Sequence, residues 1–237
     1  MITIYKKELA SYFRSPVAYC IMGFFMLIVG YVFWNNSILQ GSSKFSDTLG
    51  ASGVYLTFVI PIITMKLLAD ERKNGTEILL RTSPVPMWKV IIGKYFSAVT
   101  LYLVMLLLTL IYPLMIIFLA EGNGVFAHAQ DFSSYLGFFL LGMSYIAVSL
   151  FVSSFTEIQS VAAMSGIVSL IVLFSLQYAG MSLGGNVGRV MQWIAPLSRY
   201  SDFAVGAFNV ASLVFYITFS GMFVFLTYVN VERRRWN

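Results

Sequence analysis

The sequence predicts an all-α polytopic membrane protein, with six transmembrane helices preceded by an amphipathic helix at the membrane interface. Three observations carry this. Hydrophobic residues make up 59% of the 237-residue chain, and charged residues only 11%. Mean hydropathy is +0.82. Apolar runs of about 20 residues recur along the whole length, enough for a helix to cross the ~30 Å hydrocarbon core of a bilayer. Six such runs leave no room for a soluble domain, so 1–237 reads as a single transmembrane domain.

Residues 1–15 come before any span. Ile2, Tyr5, Leu9, Tyr12 and Phe13 recur at spacings of three and four, while Lys6, Lys7, Glu8 and Arg14 fall elsewhere on the helical wheel. This pattern suits a helix lying in the interface, apolar face down and cations toward the headgroups. Lys6, Lys7 and Arg14 ahead of an apolar run resemble a signal peptide. However, the run from Val17 to Trp34 is too long for a typical signal core and no small-residue cleavage site closes it, so a retained first span is expected. Ser15-Pro16 separates the interfacial helix from that span, about 17–34. Span two covers about 53–69 and contains Pro61, which is expected to kink it. Span three, about 93–119, is the longest and holds Pro113 near its far end. Spans four, five and six cover about 134–154, 159–179 and 210–230. The connection at Phe155–Gln159 is very tight. The segment 180–209 is long but rich in apolar residues, so it is expected to form short helices at the outer face, with Gly184, Gly185, Gly188 and Pro196 as breakers.

Charge sets the expected orientation. Placing the N-terminus inside puts Lys6, Lys7, Arg14, Lys66, Arg72, Lys73, Arg81, Lys89, Lys94 and Arg233–Arg235 on the cytoplasmic side, leaving Lys44, Arg189 and Arg199 outside. The positive-inside rule then gives a multi-pass cell-membrane protein with both termini cytoplasmic. The net charge of +5 is explained by these membrane-flanking cations, and no nucleic-acid partner is expected. The single cysteine, Cys20, lies in the first span and excludes an intrachain disulfide.

The stretch Leu67–Val85 is a dense polar island between apolar runs. Asp70-Glu71-Arg72-Lys73 continues the second helix out of the membrane. Asn74-Gly75 is a turn dipeptide. Thr76 can cap a new helix, with Glu77 in its first turn where a carboxylate suits the helix dipole. Ile78, Leu79 and Leu80 supply an apolar side, and Ser83-Pro84 stops it. An ordinary solvated loop is the simpler reading of such a stretch. Its capping, turn and stop signals favour a short docking helix.

Other chemistry is sparse. A phosphate-binding loop needs G-x-x-x-x-G-K-[ST]. The Gly93-Lys94 pair is followed by Tyr95, and position 88 is Trp88. His128 is the one histidine, and with Asp131 it does not make a metal site. Lys66 and Lys94 lie near the cytoplasmic ends of their spans, where they are expected to snorkel. The spans are otherwise almost free of ionisable residues, which argues against a proton- or sodium-coupled carrier. No catalytic residues and no cofactor of the chain's own are expected.

The run ADERKNGTEILLRTSP, residues 69–84, resembles the signature cytoplasmic segment of ABC-2-type permeases, the membrane subunits of ATP-binding-cassette exporters. The start YKKELASYFRSPVAY is similar to that family's amphipathic connecting helix. SSFTEIQSVAA is similar to its second cytoplasmic turn, PLSRYSDFAVGAFNVASLVFY to its last external segment, and VERRRW to its cytoplasmic end. The shortness of the chain and these motifs look most like the gliding-motility and NosY-type subgroup. The resemblance implies the ABC-2, or type V exporter, fold. It implies that Asp70, Glu71, Arg72, Gly75, Thr76, Glu77, Leu79, Leu80 and Pro84 form a coupling helix seated on an ABC ATPase, with Glu157 in a second, smaller contact. It implies two ATPase subunits that bind ATP and Mg, and a second permease chain, homo- or heterodimeric, meeting this one through spans one, two and five. Cargo does not carry over. A different reading is a membrane scaffold or force-transmitting subunit of an ABC-type assembly or maturation machine that transports nothing.

Overall fold

The computed structural model describes residues 2–39, 44–73, 86–119 and 128–233. Among them run α1 (Ile2–Arg14), α2 (Pro16–Phe33), α3 (Phe45–Lys73), α4 (Met87–Leu108), α5 (Ile111–Leu119), α6 (His128–Ser153), α7 (Gln159–Leu183), α8 (Gly185–Ile194), α9 (Pro196–Ala204) and α10 (Val210–Arg233). Among the described residues six helices are long and apolar enough to cross a membrane: Pro16–Leu39, Phe45–Ala69, Met87–Ile116, Gln130–Ser153, Gln159–Leu183 and Val210–Arg233. Ser15 begins the first by accepting a hydrogen bond from the Val17 N–H at 3.4 Å, with Pro16 at the first helical position. That span closes in a π-helical turn, Trp34–Leu39.

The third span is not one continuous helix. Pro113 has no N–H to offer the Thr109 carbonyl, and its ring crowds that carbonyl. The break therefore falls one turn upstream of the proline. There the Thr109 and Leu110 N–H groups turn to the nearer carbonyls of Leu106 and Leu107, at 3.1 and 3.2 Å. The Thr109 hydroxyl donates to the Leu106 carbonyl at 2.7 Å. By contrast, α3 runs through Pro61 as a single helix.

α6 is the axis of the bundle. It packs against α3, α4, α7, α9 and α10, and Phe138, Leu141, Tyr145, Ile146, Ala147 and Leu150 along it are buried. Two glycines on α6 are notches for aromatic rings. A Cβ at Gly142 would lie 2.2 Å from the Tyr102 ring, and one at Gly137 would lie 2.5 Å from Phe203. Close approach through small residues is how spans gain van der Waals contact where lipid supplies no hydrophobic drive. The same device joins α3, α6 and α7. A Cβ at Gly166 would meet Pro61 and the Ser149 hydroxyl, each at 3.0 Å, and the Thr64 and Ser149 hydroxyls bond at 2.6 Å.

Tyrosine hydroxyls then tie helix to helix through backbone carbonyls. Tyr102 on α4 donates to Phe138 on α6 at 2.9 Å. Tyr112 on α5 donates to Met26 on α2 at 2.7 Å, Tyr200 on α9 to Ser46 on α3 at 3.2 Å, and Tyr216 on α10 to Pro196 at 2.7 Å. Each ring fills core volume, and each hydroxyl avoids being left bare in an apolar interior.

Between spans five and six the apolar segment folds as the short helices α8 and α9, as expected from its composition. Gly184 and Gly185 carry φ of 59° and 58° and make the reversal after α7. Pro196 opens α9. Gly188 is not a breaker. It lies inside α8 against α7, where a Cβ would come within 2.4 Å of the Gly180 carbonyl oxygen.

Candidate coupling site at the α1 end of the bundle

α1 is an integral part of the bundle end. Its cations Lys6, Lys7 and Arg14 face outward, whereas Tyr5, Glu8, Leu9 and Tyr12 turn toward the protein. Three side-chain contacts fix it. The Tyr5 and Thr100 hydroxyls bond at 2.9 Å. The Lys94 ammonium donates to Glu8 Oε1 at 3.0 Å. The Tyr12 hydroxyl donates to the Ile63 carbonyl at 2.8 Å. α1 thus spans the last stretch of α3 and the first stretch of α4, the two helices that flank the polar island.

Lys94 corrects the sequence reading. It does not snorkel: its side chain is 1% exposed and that of Glu8 is 15% exposed. A buried ammonium holds its charge only when paired and hydrogen-bonded, and Glu8 supplies that partner from α1. The signal was present as the lone acid of the N-terminal helix and a lysine placed within an apolar run. Their sequence separation hid the pairing.

Burial keeps the Tyr12 phenol well above its ordinary value, and the nearby Glu8 carboxylate pushes it further the same way. Its folded pKa is therefore raised, so the stability it contributes is fully present below the unfolded value of about 10 and is lost as pH rises beyond it. An unfolding midpoint that falls above about pH 10 in the wild type, and falls less steeply in Tyr12→Phe, is the expected pH profile.

Of the expected docking residues, Asp70, Glu71 and Arg72 lie on the last turn of α3. Gly75, Thr76, Glu77, Leu79, Leu80 and Pro84 lie outside the described residues. Glu157 is exposed in the short turn between α6 and α7. The contacts place that turn and the end of α3 at one end of the molecule. Thr64, Ser149 and Gly166 meet at one level. From there α3 continues about nine residues to Lys73 and α7 extends back about seven to Gln159, next to the Glu157 turn, roughly 13 and 10 Å at helical rise. α10 reaches the same turn, because Asn230 Nδ2 donates to the Ser154 hydroxyl at 2.6 Å. Phe151 packs edge-on to both Phe155 and Phe223, at 5.0 and 5.7 Å. The α1 end therefore gathers α1, the flanks of the polar island, the Glu157 turn and the end of α10.

Among the described side chains this end carries Lys6, Lys7, Arg14, Lys66, Lys89, Lys94 and Arg233, against Lys44, Arg189 and Arg199 at the other. No group of three or more metal-ligating side chains occurs among the described residues.

Comparison with known families decides the class. The family described as ABC-2 family transporter protein matches residues 35–200, well over half of the chain. The chain belongs to the ABC-2 transporter family. The match runs from before α3 into α9, with the polar island inside it, and leaves α1, α2 and α10 outside. As an ABC-2 protein it is a multi-pass membrane component of a transporter and not itself catalytic. None of the curated proteins compared with it matches.

Proposed function

We propose that this ABC-2 protein is the permease subunit of an ATP-binding-cassette exporter, driven by a separate ATPase that docks at the α1 end. The supporting observation is the clamp of α1 across α3 and α4 through Tyr12–Ile63 and Glu8–Lys94. Motion imposed on the segment between α3 and α4 is then delivered to a braced pair of spans instead of being absorbed at a loose joint. Asp70, Glu71 and Arg72, at the exit of α3, set the register of the docked ATPase more than its affinity, as rim charges do. Glu157 makes the second contact, and Gly75, Thr76, Glu77, Leu79, Leu80 and Pro84 form the docking helix between. ATP and Mg are bound by the partner. Two such ATPase subunits and a second permease chain complete the transporter, with the α1 end and both termini in the cytoplasm of a cell-membrane protein, as the cation asymmetry favours. Within the family we place it with the gliding-motility and NosY-type permeases.

The test is copurification in mild detergent from native membranes. The expected result is a complex containing an ATP-binding-cassette ATPase whose hydrolysis is stimulated by the permease. Glu71→Lys combined with Arg72→Glu is expected to lower that stimulation at least ~10-fold, the equivalent of about 1.4 kcal/mol of contact energy. A lone monomeric 26.5 kDa protein, or unchanged stimulation in the charge-reversed variant, contradicts the proposal.

A further inference from the structure

At the end opposite α1, one cation has no anion paired with it among the described residues. Arg199, on α9, lies with its guanidinium carbon 5.8 Å from the Trp193 ring centroid and 5.4 Å from that of Phe215. The two rings meet edge to face at 6.3 Å, so one arginine is stacked where α8, α9 and α10 converge. Stacking satisfies the face of a guanidinium but none of its in-plane N–H donors. Its Nε is buried and has no hydrogen-bond partner. Among the described residues no carboxylate pairs with it. Asp202, one turn along the same helix, instead accepts from the Ser212 hydroxyl at 2.7 Å and from Asn209 at 3.1 Å.

The surroundings define what would complete the site. α7 ends at Leu183 and α10 begins at Val210, so Arg199 sits at the level where spans leave the hydrocarbon. On the helices that carry those two rings, Val190, Trp193, Ile194 and Val214 stand exposed, Trp193 at 64%. Tryptophan favours this headgroup level, with its ring in the apolar zone and its N–H at the wet edge. An apolar ledge leading up to an unpaired guanidinium matches a molecule with acyl chains below and a phosphate above. Arginine's planar fork suits two oxygens of one phosphate.

We propose that Arg199, with Trp193 and Phe215, binds the phosphate of an anionic membrane phospholipid. The occupant is a lipid and not a soluble anion, because the cation is approached along an exposed apolar surface. It is an anionic lipid because a zwitterionic headgroup would bring its own cation to compete with Arg199.

The test uses delipidated full-length protein in detergent, titrated with chain-brominated phosphatidylglycerol or chain-brominated phosphatidylcholine. Tryptophan quenching is read against a Trp193→Phe reference. Half-maximal quenching of Trp193 by phosphatidylglycerol is expected at a concentration about tenfold lower than by phosphatidylcholine, the size of one charge-assisted hydrogen-bonded contact. Arg199→Gln should abolish the preference, and Arg189→Gln, on the exposed face of α8, should keep it. Inorganic phosphate at the lipid concentration should not displace the lipid. Equal quenching by the two lipids in the wild-type protein overturns the proposal without reliance on any arginine variant. A preference that survives Arg199→Gln also overturns it. Displacement by inorganic phosphate reassigns the site to a soluble anion and overturns the lipid.

Discussion

Glu8→Ala is expected to destabilise the protein by up to about 3–5 kcal/mol, the range for taking a partner from a buried charge. The reason lies in the placement of Lys94. Its side chain is 1% exposed, on a helix that packs against α1, α6 and α10, so the ammonium is held by protein groups instead of water. Its 3.0 Å bond to Glu8 also carries the attachment of α1, so loss of the carboxylate should loosen the N-terminal helix as well as take a partner from the buried lysine. Replacing both members, Glu8→Leu with Lys94→Met, removes the charge to be satisfied and is expected to recover most of the stability. Thermal unfolding in detergent measures both. A double variant as unstable as Glu8→Ala would show that the cost does not come from the Lys94 charge.

Gly142→Leu is expected to be as damaging for a purely steric reason. A Cβ at this position would lie 2.2, 2.3 and 2.7 Å from three atoms of the Tyr102 ring and hydroxyl. That ring cannot yield. It is fully buried, bonded through its hydroxyl to the Phe138 carbonyl, and stacked parallel to Phe139 at 6.2 Å. Overpacking a tight interior costs about 1–3 kcal/mol for modest additions, and a whole leucine at the bundle axis should exceed that and abolish folded yield. Gly221→Ala is the matched contrast. Nothing lies within 4 Å of its Cβ position, and the substitution should leave the unfolding midpoint unchanged or raised, given the better helix propensity of alanine. Size-exclusion profiles and unfolding midpoints of the two variants test the notch directly.

The six spans were legible because hydrocarbon imposes a length and a composition that a single sequence displays without its neighbours. The short helices after Gly184 were legible for a related reason, since a long polar-poor connection must bury its backbone. Three features were not. The break of span three at Thr109 shows in sequence only through Pro113, and proline disturbs the carbonyl one turn before itself, so the marker and the break are displaced. Gly188 reads as a breaker from its type, yet its role is a close helix contact that depends on the return path of α8 along α7. Glu8 and Lys94 look like an interfacial charge and a snorkelling one, because nothing in either local pattern records that α1 folds onto α4. Of the residues expected to dock, Asp70, Glu71 and Arg72 lie on the helix exit read from the sequence, and Glu157 in the exposed turn. Their shared end is a tertiary fact supplied by Thr64, Ser149 and Gly166.

The central claim is that an ATPase sits on the α1 end. Photocrosslinking in native membranes tests it most directly, with a crosslinking amino acid placed singly at Glu71, Glu157 or Arg189. The account predicts covalent adducts to an ATP-binding-cassette ATPase from positions 71 and 157 and none from 189, at the opposite end. Adducts from 189, or their absence from both 71 and 157 in membranes where transport is active, would contradict it.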